Sequence, residues 1–193
     1  MVRTLSTLRL PLGAPAPRFE LPDPAGRRWT TEGVAAGRPL LVAFICNHCP
    51  FVKHVRSGFA RLAREAAARG VAVVAINSND FEAYPEDAPP RMAEEARVAG
   101  YEFPYLVDES QQVARAYAAA CTPDFYLFDR DLKLFYRGQM DGSRPGNGIP
   151  VTGSDLVGAV DALLGGDPPP SEQKPSLGCN IKWRPGGEPD RAG

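Results

Sequence analysis

The chain has 193 residues, of which 44% are hydrophobic and 23% are charged. These values are ordinary for a globular domain and argue against a largely disordered, collagen-like or coiled-coil chain. Lys and Arg number 22 against 23 Asp and Glu, which gives a formal net charge of -1. This balance argues against a nucleic acid or an anionic membrane as a partner bound by bulk electrostatics.

Neither a membrane span nor a secretory leader is indicated. The longest apolar runs, 40–46 and 71–76, are far too short to cross a bilayer. The N-terminal segment interrupts its apolar residues with Thr4, Ser6 and Arg9, which is not typical of a signal peptide. We therefore expect a cytoplasmic protein. In a reducing compartment its 4 cysteines serve catalysis, metal binding or burial rather than structural disulfides.

The first elements in chain order are a hairpin and a buried strand. Residues 19–21 predict a short strand, 23–26 a turn and 27–30 a returning strand, so that an N-terminal β-hairpin occupies about 13–30. The uninterrupted apolar run 40–45 is typical of a central strand that is covered on both faces of a parallel sheet.

An amphipathic helix is predicted directly after this strand. From Phe51 to Ala66 apolar residues recur at a spacing of three and four, charged residues occupy the other face, and Gly70 ends the helix. Residues 71–76 predict a second buried strand. Such a strand–helix–strand unit is right-handed, and it places the N-terminus of the helix at the carboxyl end of the first strand.

Shorter elements follow, beginning with a polar, proline-rich surface loop over 79–90. The elements predicted after it are a helix over 91–99, a strand over 103–107, a short helix over 110–119, a strand hairpin over 125–128 and 132–136, and a helix over 154–164 with Thr152 or Ser154 as its N-cap. From Gly166 onward, proline and glycine leave too little periodicity for another element. We therefore predict one domain over 1–165 and an extended tail over 166–193.

The sharpest signal is the motif Cys46-Asn47-His48-Cys49, which lies where a buried strand runs into an amphipathic helix. Two cysteines at this spacing can form a disulfide. The helix N-terminus stabilises a thiolate through its unpaired N–H groups and its dipole. A protonated His48 would favour the thiolate further and make the disulfide more oxidising, although His48 could equally be an exposed loop residue.

Two alternatives concern the surroundings of this motif. The cysteines could form half of a zinc site completed by His54 or Cys121, but a second cysteine knuckle is missing, and the strand–helix context favours redox chemistry. His54 falls on the polar face of the helix and is expected at the solvated surface. Pro50 suits the first helical position with Cys49 as the cap, but the sequence also allows Cys46 as the cap.

The sequence resembles a known superfamily in three segments. These are the entry segment 14–26, the motif 46–50 and Thr122-Pro123-Asp124 before a strand. They resemble the thioredoxin-like superfamily, and within it the peroxiredoxin-like, AhpC/TSA-related branch that carries a Cys-x-x-Cys motif. The resemblance implies an α/β thioredoxin-like fold, with a central mixed sheet flanked by helices, an N-terminal β-hairpin and an extended C-terminal tail. It also implies that Pro123 is a cis-proline beside the cysteine pair.

The sequence departs from both well-known types of this superfamily. Peroxiredoxins carry Pro-x-x-x-Thr-x-x-Cys, and aligning Cys49 with their peroxidatic cysteine places Cys46 where their threonine should be. Their catalytic arginine is replaced by Thr122-Pro123. Thioredoxins have a buried aspartate on the first central strand, which has no ionisable group here. Asp141 is only a weak candidate for the missing base.

Two further cysteines are candidates for a third redox thiol. Cys121 directly precedes Thr122-Pro123, so in this fold it lies near the cysteine pair, although burial alone also explains a cysteine there. Cys179 could be a resolving thiol if the tail folds back over the site. The alternative is that Cys179 is a spectator.

These observations predict a thiol-disulfide oxidoreductase that exchanges electrons between the Cys46/Cys49 pair and a disulfide or dithiol of another protein. The residues expected to support the pair are Asn47, His48, Thr122 and Pro123. A cellular reductant such as the thioredoxin or glutathione system would be a second partner, and no cofactor, resident metal, nucleic acid or membrane is expected. The alternatives are a peroxiredoxin-like thiol peroxidase with Cys49 as its peroxidatic cysteine, and a non-catalytic zinc-binding or redox-sensing module.

Overall fold

The computed structural model describes residues 3–188, so residues 1–2 and 189–193 of the predicted domain and tail lie outside it. The strands are β1 (Arg3–Leu5), β2 (Glu20–Pro22), β3 (Arg28–Thr30), β4 (Leu40–Phe44), β5 (Ala72–Asn77), β6 (Tyr105–Val107), β7 (Cys121–Thr122), β8 (Asp124–Phe128), β9 (Leu134–Gly138) and β10 (Leu177–Asn180). The helices are α1 (Thr31–Ala35), α2 (Pro50–Ala68), α3 (Pro89–Ala99), α4 (Gln112–Ala116) and α5 (Ser154–Gly165), and a 3-10 turn spans Pro85–Asp87.

A mixed five-stranded sheet forms the centre of the protein, in the order β6-β5-β4-β8-β9. Strand β4 is central, as predicted, and it pairs in parallel with β5 and antiparallel with β8. Its side chains face two cores in alternation. Leu41 and Ala43 pack with α2 and α5, and Val42 and Phe44 pack with α1 and α4 on the opposite face. Two-sided burial therefore explains why this strand is apolar throughout.

The helix that follows β4 carries the cysteine motif at its start. Pro50 is its first residue and Cys49 its N-cap, so the alternative in which Cys46 is the cap is wrong. The fixed φ of proline and its missing N–H suit this position, where the N–H would have no helical partner. Helix α2 ends at Ala68, and Gly70 follows with a φ of +87°.

The predicted N-terminal hairpin is present as the antiparallel pair of β2 and β3. The tail, in contrast, is not devoid of regular structure. Strand β10 lies within it and forms the middle of a second, antiparallel sheet in the order β1-β10-β7. This strand has four residues and contains Gly178, and both of its partners are distant in sequence. Local periodicity therefore carries no signal for it.

The segment 79–90 is not a plain surface loop. Asn79, Asp80 and Asp87 are buried, and the folded-back tail contacts the first two of them. The backbone N–H of Asp80 donates to the carbonyl of Lys182 at 2.8 Å, and the N–H of Lys182 donates to Asn79 Oδ1 at 2.8 Å.

The predicted N-cap of the last helix is also wrong. Gly153 holds the cap position with a φ of +74°, and Thr152, one residue before it, accepts the N–H of Ser154 at 3.3 Å. The Asp141 carboxylate accepts the N–H groups of Thr152 and Gly153 at 2.8 and 2.6 Å. Within residues 3–188, no helix has the length and apolar character needed to span a membrane.

Candidate active site

The two cysteines of the motif lie beneath the surface at the carboxyl end of β4. Cys46 and Cys49 are 1% and 0% exposed. The carbonyl of Cys49 already accepts the N–H of Lys53, at 2.9 Å, in the first turn of α2. The Cys49 side chain therefore lies at the positive end of a 19-residue helix, which is a place that stabilises a thiolate.

Thr122 contacts both cysteines, and Pro123 follows it. The peptide bond between them is cis, as predicted. The Cys46 Sγ lies 3.3 Å from Thr122 Oγ1, and the Cys49 Sγ lies 3.3 Å from the carbonyl oxygen of Thr122. The connection between β7 and β8 thus meets the start of α2 at the two sulfur atoms.

The tail brings a third sulfur to this point. The Sγ atoms of Cys49 and Cys179 lie 2.8 Å apart. Cys179 is buried, and its register partner across the β10–β7 pair is Thr122. The condition for a resolving role of Cys179, that the tail folds back over the site, is therefore met.

These contacts separate the pKa values of the three thiols. The pKa of Cys49 lies well below its usual range, because the thiols of Cys179 and Cys46 and the N–H groups of Val52 and Cys179 can donate to its sulfur. Together they outweigh burial and the Thr122 carbonyl, which favour the neutral thiol. Burial, the hydrogen bond to Cys49 and the Asp87 carboxylate raise the pKa of Cys46. The hydrogen bond to Cys49 and burial raise the pKa of Cys179.

Asp87 is a functional candidate that sequence reasoning missed. Its Oδ1 accepts the N–H of Asn47 at 2.7 Å, and its Oδ2 lies 2.6 Å from His48 Nδ1 and 2.7 Å from Asn79 Nδ2. Burial alone would raise the pKa of Asp87, but the hydrogen bonds from His48, Asn79 and Asn47 lower it. A carboxylate can only accept, so His48 Nδ1 carries the shared hydrogen.

His48 and Asn47 are held from both sides of the motif. The ring of His48 stacks on Tyr84, with centroids 5.5 Å apart and an angle of 8° between the planes. Asn47 donates from Nδ2 to the Glu86 carbonyl at 2.8 Å and accepts from the Tyr105 hydroxyl at 3.0 Å. His48 is therefore not an exposed loop residue, and both side chains fix the segment between the cysteines.

The position of Asp87 explains both why it was missed and what signal could have found it. It lies in the polar segment that follows β5, and β5 runs parallel to β4. The carboxyl ends of two parallel neighbours lie at the same sheet edge, so polar residues after β5 meet the cysteines after β4. The polar, proline-rich composition of the segment predicts a surface loop. In a surface loop Asp87 would be solvated and would not contact the cysteine motif, so no sequence pattern provides a reason to select it.

The structure also places the three remaining candidates, Asp141, His54 and Cys121. Asp141, the weak candidate for a base, holds a loop: its oxygens accept from the N–H groups of residues 143, 152 and 153. His54 is half-buried rather than solvated, with Nε2 2.7 Å from Ser143 Oγ. Cys121 is buried, and its Sγ faces the carbonyls of Pro123 and Ser176 at 4.0 and 3.9 Å.

The atoms near the motif that could ligate a metal come from Cys46, His48 and Asp87. They lie within 4.8 Å of one another, and neither His54 nor Cys121, the two residues predicted to complete a zinc site, belongs to this group. Structural zinc sites use four ligands as a rule. The Asp87 oxygens are already bonded to three donors. This arrangement favours a hydrogen-bonded network at the thiols.

Comparison with known proteins identifies the family. The model of the AhpC/TSA family matches residues 12–137, about two thirds of the chain. The chain belongs to the AhpC/TSA family. No curated protein matches it at a significant level. Members of this family are thiol oxidoreductases or peroxidases, so the chain is a thiol redox protein of that kind.

Solved structures match this AhpC/TSA protein along nearly its whole length. An uncharacterized conserved protein from Geobacillus kaustophilus is 56% identical with a TM-score of 0.92, over 96% of this chain and 98% of that chain. A hypothetical protein from Sinorhizobium meliloti 1021 is 52% identical with a TM-score of 0.91, over 94% and 98%. A putative thiol:disulfide interchange protein DsbE from Chlorobium tepidum is 23% identical with a TM-score of 0.61, over 80% and 99%, and shows the fold alone.

Proposed function

We propose that this AhpC/TSA protein is a cytoplasmic thiol-disulfide oxidoreductase that exchanges electrons between the Cys46/Cys49 pair and a disulfide or dithiol of another protein. The observation that carries the proposal is the asymmetry of the pair. The surroundings of Cys49 favour its thiolate, and those of Cys46 favour its thiol. A dithiol catalyst needs this asymmetry, because one sulfur attacks while the other waits as a protonated thiol.

The reductive half-reaction then has two steps. The Cys49 thiolate attacks a substrate disulfide, forming a mixed disulfide and releasing one substrate thiolate. Cys46 loses its proton and attacks the Cys49 sulfur, which closes the Cys46–Cys49 disulfide and frees the second substrate thiol. The network of Asp87 and His48 lies within 4.8 Å of the Cys46 sulfur and is the proton acceptor of this step. A cellular dithiol, from the thioredoxin or glutathione system, reduces the pair again.

Burial of both sulfurs adds a condition. Exchange with a protein substrate requires the cover over the pair to open locally, and native proteins open locally without unfolding globally. The described cover consists of the segment around Tyr84 and strand β10. A small disulfide should therefore react faster than a protein disulfide of the same potential.

The test is reduction of insulin and of oxidised glutathione, with the protein recycled by dithiothreitol. The wild type should accelerate both reactions, Cys49→Ser should abolish the acceleration, and Cys46→Ser should strongly reduce it. Cys121→Ser is the matched control, because this thiol is equally buried and its described hydrogen bonds are with backbone groups of Pro123, Ser176 and Gly178. Wild-type rates in the Cys46→Ser variant would contradict the proposal.

A thiol peroxidase with Cys49 as its peroxidatic cysteine is the second candidate, and the lowered pKa of Cys49 favours it. The largest contributions to this shift come from thiols and backbone N–H groups, none of which is cationic. The peroxiredoxin threonine and arginine positions are taken by Cys46 and by Thr122-Pro123. Peroxide consumption dependent on Cys49 but not on Cys46, far faster than that of free cysteine, would decide for the peroxidase.

A further inference from the structure

The tail cysteine contacts the same sulfur that the motif pairs with Cys46. We propose that Cys179 is the third redox thiol of the site, and that Cys49 alternates between a disulfide with Cys46 and a disulfide with Cys179. The inference rests on the proposed exchange chemistry only for its place in the cycle. The geometry that supports it, a separation of 2.8 Å between the sulfurs of Cys49 and Cys179, stands independently.

The register of the small sheet explains why Cys179 reaches the pair. In an antiparallel pair, residues directly opposite each other project to the same face. Cys179 lies opposite Thr122, and Thr122 contacts the sulfurs of both Cys46 and Cys49. Cys179 therefore occupies the face of the sheet that meets the start of α2. If the pairing register of β10 with β7 shifted by one residue, Cys179 would lie on the opposite face of the sheet.

Gly178 holds β10 close enough to β7 for this contact. A Cβ at position 178 would lie 2.0 Å from the carbonyl oxygen of Thr122 and 2.6 Å from its carbon. No side chain fits there without moving one of the two strands. The missing side chain therefore sets the distance between β10 and the Thr122–Pro123 connection.

The remaining cysteine does not share this geometry. Cys121 precedes Thr122 on β7 and pairs in register with Asn180. Alternation along a strand directs neighbouring side chains to opposite faces, so Cys121 points away from the face that carries Cys179. Its described hydrogen bonds are with backbone groups, namely the carbonyls of Pro123 and Ser176 and the N–H of Gly178. Cys121 is therefore the natural control for Cys179.

The proposed step is an internal thiol-disulfide exchange. Cys179 loses its proton, and its thiolate attacks the Cys49 sulfur of a Cys46–Cys49 disulfide. The Cys49–Cys179 bond forms, the Cys46–Cys49 bond breaks, and the leaving Cys46 thiolate takes up a proton. No electrons enter or leave the protein, so the step needs no outside oxidant. The result frees Cys46 and covalently joins the tail to helix α2.

The experiment oxidises the fully reduced full-length protein with one equivalent of oxidised glutathione, blocks free thiols by alkylation under acid quench, and maps the linked peptides by mass spectrometry. Wild type should yield both the 46–49 and the 49–179 linkage. Cys46→Ser should yield 49–179 alone, Cys179→Ser should yield 46–49 alone, and Cys121→Ser should match the wild type. Cys179→Ala, with an unchanged far-ultraviolet spectrum, guards against a folding defect in the serine variant.

Absence of the 49–179 peptide in both the wild type and folded Cys46→Ser overturns the inference. The proposed function fails separately, through a lack of insulin and glutathione reduction. A protein that forms 49–179 stoichiometrically but accelerates the reduction of neither substrate keeps the third redox thiol and loses the oxidoreductase assignment. A protein that reduces both substrates but forms only the 46–49 disulfide keeps the oxidoreductase assignment and loses the third redox thiol.

Discussion

The ring nitrogen Nδ1 of His48 lies 2.6 Å from Oδ2 of Asp87, and this contact joins the cysteine motif to the segment after β5. The same carboxylate receives the N–H of Asn47. One buried acid thereby fixes two consecutive residues between the cysteines. It also faces the Cys46 sulfur and contributes to the raised pKa of this thiol. In the proposed exchange, Asp87 therefore takes the place of the base that the central strand lacks.

Replacing Asp87 with Asn should slow disulfide exchange and change its dependence on pH. The proton acceptor of Cys46 is lost, for which we expect a decrease of roughly tenfold to a hundredfold near neutral pH. The carboxylate also opposes the Cys46 thiolate, so its removal lowers the pKa of Cys46. Both effects predict that the deficit shrinks as pH rises. Insulin-reduction rates across the pH range measure it.

Asp108→Asn separates this effect from simple destabilisation. Asp108 is fully buried and accepts from Ser78, Ser110 and the N–H of Ala114, so it is a hub of the same type. Each Asn variant should lose on the order of 1–3 kcal/mol of unfolding free energy. Only Asp87→Asn should show the pH-dependent deficit, and equal rate profiles for the two variants would refute a role of Asp87 in exchange.

The reduced protein should carry a thiolate at a pH where ordinary cysteines are neutral. Because the pKa of Cys49 is lowered, its ionised form persists as pH falls below the usual thiol value of roughly 8.5. The ultraviolet thiolate band should remain near neutral pH in the wild type and in Cys121→Ser, and should vanish in Cys49→Ser. In Cys179→Ala the pKa of Cys49 should be higher than in the wild type, because the thiol that contributes most to lowering it is missing. As pH falls, the thiolate band should therefore disappear at a higher pH. An unchanged titration would show that Cys179 does not stabilise the thiolate.

Gly178→Ala should weaken the tail contact and reduce formation of the 49–179 linkage. The new methyl would meet the Thr122 carbonyl, so β10 must move away from β7. We expect a loss of about 1–3 kcal/mol in unfolding free energy, as is typical of overpacking. Gly158→Ala is the matched control: it lies in α5, has open space around its Cβ, and should stabilise the helix by up to about 1 kcal/mol. A normal yield of 49–179 in Gly178→Ala would show that the strand spacing is not essential.

Asp124 should make stability fall as pH rises. Burial raises the pKa of this carboxyl to about 7, whereas in the unfolded chain it titrates near its ordinary value of roughly 3.9. A group with a raised folded pKa contributes stability below its unfolded pKa and loses it as pH rises through its folded pKa. Asp124→Asn stays neutral, so it should exceed the wild type by on the order of 2 kcal/mol near pH 8 and lose this advantage in acid. Denaturant titrations at several pH values provide the measurement, and a difference independent of pH would contradict the expectation.

The sequence predicts those parts of the fold that depend on neighbours along the chain. The run 40–45 and the apolar spacing from Phe51 to Ala66 are local patterns, and they suffice to predict β4 and α2. The cis bond before Pro123 follows from the family resemblance rather than from a local pattern. It is present as expected.

What the sequence could not predict depends on contacts between distant segments. Strand β10 exists because β1 and β7 lie on either side of it, and its four residues have no periodicity of their own. Asp87 resembles any polar residue of a proline-rich loop until β5 brings it beside His48. In both cases the deciding contacts join segments that lie far apart along the chain.

The contact between Cys49 and Cys179 also bears on the unfolded chain. A disulfide between residues 46 and 49 closes a ring of four residues, which removes little freedom from the denatured ensemble. A disulfide between 49 and 179 closes a ring of about 130 residues, and loop-closure entropy then favours the native state by on the order of 3 kcal/mol more than the small ring does. The protein with the 49–179 disulfide would thus resist heat and denaturant more strongly than the protein with the 46–49 disulfide. The cysteine that pairs with Cys49 would therefore determine the global stability of the oxidised protein.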